Sequence, residues 1–109
     1  MIYKVNSMAT VTLSEILDDL RAADQVLRKF EQRYWLSSEV FYELYQQGRL
    51  DDGENSEDFS EWAGFYQIKQ HREELLGQFS RQRIARLGST GEGDLLHLAP
   101  EEPLIEVTA

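Results

Sequence analysis

The chain has 109 residues, and its 20 acidic against 11 basic side chains leave a formal net charge of −9, with no cysteine. No disulfide framework, thiolate zinc site or cysteine nucleophile is open to it, and no apolar run approaches the roughly 20 residues of a membrane-spanning helix, so a cytoplasmic protein with no membrane role is expected. Apolar residues at 41%, including two Trp, five Tyr and five Phe, suffice for a core and exclude a disordered chain.

Three segments follow one another: an N-terminal arm or strand over residues 1–12, a helical domain over 13–88, and an acidic, flexible tail over 89–109. Charge is distributed unevenly, at 0 for residues 1–36, −7 for 37–67, +3 for 68–88 and −5 for 89–109. The arm, YKVNSMATVTL, has a strand-like pattern, and Met8 offers an alternative start that would make residues 1–7 a coding-frame extension.

Thr12 and Glu15 fit a capping box, with Val11 and Ile16 placed as a hydrophobic staple, so the first helix begins here. Its apolar positions, Leu13, Ile16, Leu20, Ala23, Leu27, Phe30 and Tyr34, step by three and four, a coiled-coil-like seam about 33 Å long at the standard rise. A short second helix starts at Ser37, with Glu39 in its first turn and Leu36 and Phe41 as a staple, and Gly48 stops it. The turn-rich loop LDDGENSED leads to a third helix beginning near Asn55 or Ser56 and reaching Gly88, acidic at its start (Glu57, Asp58, Glu61) and basic at its end (Arg81, Arg83, Arg86). Arg72 and Gln82 interrupt its apolar stripe, and Gly64 or Gly77 offers a place for a bend. The fold class is therefore mainly α: two long amphipathic helices and one short helix. Rods of this length bury poorly in one compact monomer, so the seam of Leu13, Ile16, Leu20, Leu27, Phe30 and Tyr34 is expected to pair between chains in an intertwined or antiparallel homodimer. In the tail, the LIEV run (104–107) is placed to add a strand to a partner's sheet edge.

Nothing marks a reaction centre. His71 has Leu75 at its i+4 position and His97 lies in the tail, so both are read as surface histidines. The carboxylates Asp51, Asp52, Glu54, Glu57 and Asp58 lack the alternating ligand order of a calcium loop, and LGSTGEG has no lysine to complete a phosphate loop. No catalytic, metal or cofactor residue is proposed, and the chain is not expected to be an enzyme. A strand ahead of two helices is the coarse order of a ribbon-helix-helix reader, which makes a dimeric DNA-binding regulator the alternative. Its strand offers only Lys4, however, and the tract Lys69, Arg72, Arg81, Arg83 and Arg86 gives weak counterion-release binding at most. The least ordinary feature is aromatic: Tyr34, Trp35, Phe41, Tyr42, Tyr45, Phe59, Trp62, Phe65 and Tyr66 fall within 33 positions. Core filling accounts for most of them, but Trp and Tyr are also preferred interface anchors.

The strings YWLSSEVFYELYQQGRLDD and EDFSEWAGFYQIKQHR resemble a group of small bacterial proteins regarded as antitoxin components of type II toxin–antitoxin pairs. The resemblance is carried by Tyr34, Ser37, Ser38, Phe41, Tyr42, Tyr45, Gly48, Asp51, Asp52, Asp58, Phe59, Glu61, Trp62 and Ala63, and it covers roughly residues 9–85. It implies a module that binds and masks a small toxin encoded nearby, a ribonuclease being the expected kind. An acidic, aromatic surface suits that role, because a cleft that holds RNA must be basic. Trp35, Tyr42, Trp62 and Tyr66, with Asp51, Asp52, Asp58 and Glu61, are the residues expected to meet such a partner. A plain structural protein whose aromatics are all internal is the third reading.

Overall fold

The computed structural model describes residues 10–88, 95–100 and 107–108, and expectations for the rest of the arm and tail lie outside the described residues. The element order is β1 (Thr10–Val11), α1 (Leu13–Tyr34), α2 (Ser38–Gln46), α3 (Ser56–Arg86) and β2 (Val107–Thr108). The chain is mainly helical, as its periodicity predicts. β1 pairs with β2 antiparallel, Thr10 opposite Thr108 and Val11 opposite Val107, so the last residue of the LIEV run meets the chain's own N-terminal segment instead of a partner's sheet.

Local signals set the helix ends. The Thr12 hydroxyl accepts from the Glu15 amide while the Glu15 carboxylate accepts from the Thr12 amide, so the capping box forms in full and α1 starts there. Ser37 caps α2 by accepting from the Val40 amide at 3.1 Å. α2 ends two residues before Gly48, whose φ of 71° suits a residue without Cβ. Asn55 precedes α3 in a left-handed conformation and makes no side-chain cap bond, so Glu57 and Asp58 supply the negative charge that the helix start favours. α3 continues unbroken through Gly64 and Gly77 for 31 residues, about 46 Å at 1.5 Å per residue.

α1 and α3 lie antiparallel: Ile16 packs with Leu75 and Phe79 at one end, and Leu27 and Phe30 with Trp62 and Ala63 at the other. This arrangement corrects the expected dimer seam. Ile16, Ala23, Leu27 and Phe30 are buried within one chain, and Leu13, Leu20 and Tyr34 pack against the same two clusters. The physical reason is the connection over residues 35–55, which turns the chain back so that α3 covers the stripe of α1. Arg72, which interrupts the stripe of α3, reaches across to Asp19 of α1 at 2.6 Å, fixing the register of the two rods with an ion pair. α2 has only nine residues and covers the hairpin at one end, where the larger core cluster lies. No helix among the described residues is long and apolar enough to cross a membrane.

Candidate functional site

The end of the hairpin capped by α2 brings together the aromatic run and the −7 segment. Trp62 is its centre, with no exposed surface at all. Its indole stacks on Phe41 with ring centroids 3.8 Å apart and planes 2° apart, and Phe30 and Tyr34 lie at 5.5 and 5.6 Å. The Trp62 Nε1–H donates to Ser38 Oγ at 2.8 Å, and Ser38 in turn donates from both its hydroxyl (2.8 Å) and its amide (3.0 Å) to Glu31 Oε2. Arg28 donates to the other carboxylate oxygen of Glu31 at 2.8 Å. A polar chain thus runs from solvent through Arg28, Glu31 and Ser38 to the buried indole, leaving none of its members unsatisfied. Burial works against the Glu31 charge, but hydrogen bonds from Ser38 and Arg28 outweigh it and hold the carboxyl below its ordinary pKa.

Around this core the remaining aromatics tie α2 to its neighbours. Tyr34 donates its hydroxyl to Asp58 Oδ2 at 2.6 Å, a bond to the protonated phenol that raises the Tyr34 pKa, and Arg33 approaches the same carboxylate at 3.3 Å. The Tyr42 hydroxyl accepts from Gln67 at 2.8 Å, and its ring lies 4.9 Å from that of Tyr66. Burial, followed by the nearby negative charge of Glu39, Glu73 and Glu43, raises the Tyr66 pKa. Between the end of α2, the 47–55 loop and the start of α3 opens a cleft of about 330 Å³, lined by Tyr45, Leu50, Asp51, Glu54, Phe59 and Ser60 among others.

The residues expected to meet a partner therefore divide. Trp35 is 91% exposed, and Asp51, Asp52 and Glu61 also face solvent. Tyr42, Asp58 and Tyr66 are half-buried. Trp62 is not available to a partner: it fills the core, because it lies on the side of α3 that α1 and α2 both cover. Asp58 and Glu61 are engaged within the chain, by Arg33 at 3.3 Å and by Lys29 at 4.0 Å. The other six carboxylates of the −7 segment, Glu39, Glu43, Asp51, Asp52, Glu54 and Glu57, form no ion pair among the described residues and are all exposed.

Sequence reasoning named Ser38 only as part of the resemblance, without a role, and missed Glu31. The available signal was their spacing: the second serine of the pair stands inside the helix, where a hydroxyl has no capping role, seven residues after a carboxylate on the preceding helix. The basic tract read for nucleic acid is partly engaged as well, since Arg72 is held by Asp19 and Arg83 donates to the carbonyl of Ala99. Among the described residues no group of three His, Asp or Glu side chains stands ready for a metal ion. Comparison with protein-family models, with curated proteins and with solved structures finds no match to this chain.

Proposed function

We propose that this chain is a protein-interaction module whose α2-capped end receives a basic partner, in the manner of an antitoxin that masks a small toxin encoded beside it. One observation carries the reading: six carboxylates with no ion pair among the described residues stand on an end that also exposes a tryptophan. Charge of one sign held on a folded surface attracts a partner of the other sign and speeds its capture, while the aromatic surface supplies contact area that charge alone lacks. The resemblance of residues 34–52 and 57–72 to antitoxin components supplies the kind of partner, and the small ribonuclease it implies has the required basic cleft.

Co-expression with the neighbouring reading frame tests this. The expected result is that the neighbour arrests growth alone, that the present chain restores growth and co-purifies with it, and that the variant Asp51→Asn, Asp52→Asn, Glu54→Gln, Glu57→Gln does neither while keeping its helical circular dichroism. Unaltered growth with no co-purification overturns the reading.

A further inference from the structure

We propose that the C-terminal segment works as a latch: held by Arg83 at one point and by β1 at another, it closes the end of the hairpin opposite α2 and opens as one unit while the α2-capped end stays folded. α3 runs seven residues past Phe79, the last residue of either core cluster on that helix, and every residue of Ser80–Arg86 is exposed except Arg83. Some two turns of helix that pack on neither cluster gain little from burial. What they carry is Arg83, whose guanidinium donates to the carbonyl of Ala99 and so sets the returning chain against the helix. Gly88 starts that return at φ 81°, one residue past the cap of α3.

The second hold lies close by in sequence. Only residues 100–106 separate Ala99 from Val107, which pairs antiparallel with Val11. With so short a tether, making either hold lowers the entropy cost of making the other. Each is weak alone: a ribbon two residues long is far below what persists in water, and one hydrogen bond is a small net gain. What the pair secures is the start of α1. Val11 packs on the cluster of Ile16, Leu75 and Phe79, and Thr12 beside it opens the capping box that binds the amides of Thr12 and Glu15. When β2 leaves, Val11 loses the strand that holds it over this cluster, and the first turn of α1 frays. The opposite end has no such dependence, since stacked rings and the chain from Glu31 through Ser38 to Trp62 knit it together. Local opening therefore belongs to the latch end.

Hydrogen exchange of the full chain, followed by nuclear magnetic resonance, tests this. In the unaltered chain the amides of Thr12, Glu15 and Ile16 are expected to exchange through one shared opening, at least about tenfold faster than the Trp62 indole N–H. Arg83→Met keeps an apolar stem and removes the donors, and Val107→Pro spoils the strand that pairs with β1. Each is expected to speed exchange at the three amides by about tenfold and to leave the Trp62 indole within about twofold. Because the holds support each other, the double variant should reach about thirtyfold and not the roughly hundredfold of independent holds. Exchange in Arg83→Met that stays within about twofold of the unaltered chain overturns the latch, as does a double variant that reaches the full product. Equal acceleration at the Trp62 indole means one global opening and also overturns it. Arg83 lies outside both core clusters, so Arg83→Met decides the matter even where Val107→Pro fails to fold.

Discussion

Replacing Ser38 by alanine removes one oxygen and tests the central account of how α2 is held. The hydroxyl accepts from the Trp62 indole at 2.8 Å and donates to Glu31 at 2.8 Å, in a place where Trp62 has no exposed surface and Ser38 itself only 4%. Without it the indole N–H is buried with no acceptor, a loss of about 2 kcal/mol. Glu31 loses one of its donors but keeps the Ser38 amide and Arg28, which costs about 1.5 kcal/mol for a charge-assisted bond. Alanine recovers about 0.5 kcal/mol through its better helix propensity. The net expectation is a destabilisation of about 3 kcal/mol, a large share of the 5–15 kcal/mol typical of a domain, and a fall in Tm of about 12 °C. Urea unfolding followed by far-ultraviolet circular dichroism measures it. The decisive comparison is the cycle with Trp62→Phe, where the indole donor is already gone and Ser38→Ala should cost only about 1 kcal/mol, a coupling of about 2 kcal/mol. If Ser38→Ala costs less than about 1 kcal/mol, or the two changes add within about 0.4 kcal/mol, then the Ser38–Trp62 bond does not hold α2 in place.

Acid should act through the same network. The folded pKa of Glu31 lies below its ordinary value of 4.5, so its contribution to stability is present above that pH and is lost as pH falls through the folded value; Glu31→Gln should flatten the acid limb of a stability–pH profile, and an unchanged profile would exclude Glu31 as a source. Phe41 is fully buried and stacks face to face on Trp62, so Phe41→Ala should cost about 4 kcal/mol and expose Trp62 to acrylamide while α1 and α3 remain paired; quenching that stays confined to Trp35 would show that α2 does not depend on this stack.

The residues that carry the resemblance to antitoxins prove, once placed, to be largely the internal joinery of the α2 cap. Ser37 starts the helix, Ser38 bridges Trp62 to Glu31, Phe41 stacks on Trp62, Tyr34 holds Asp58, and Gly48 provides the left-handed turn that follows. Any chain that folds a short helix onto this hairpin would want them, whatever it binds. The residues left over after the joinery is accounted for, Trp35 and the six carboxylates with no ion pair among the described residues, are the ones on which the proposed recognition of a partner rests.

Helix number, helix ends and the polarity of charge along the chain were legible in the sequence, because each depends on residues within about four positions of one another: Thr12 with Glu15, Ser37 with Val40, Gly48 after Gln46. The partner of the α1 stripe was not, since apolar residues spaced three and four apart are satisfied by any helix laid alongside, and only the turn through residues 35–55 decides that α3 of the same chain fills the place a second copy was expected to take. The two tryptophans separate for the same reason. As letters in an aromatic run they are alike, but Trp62 sits where α1 and α2 both close over α3, while Trp35 comes one residue after α1 ends, where a left-handed backbone turns it out to water.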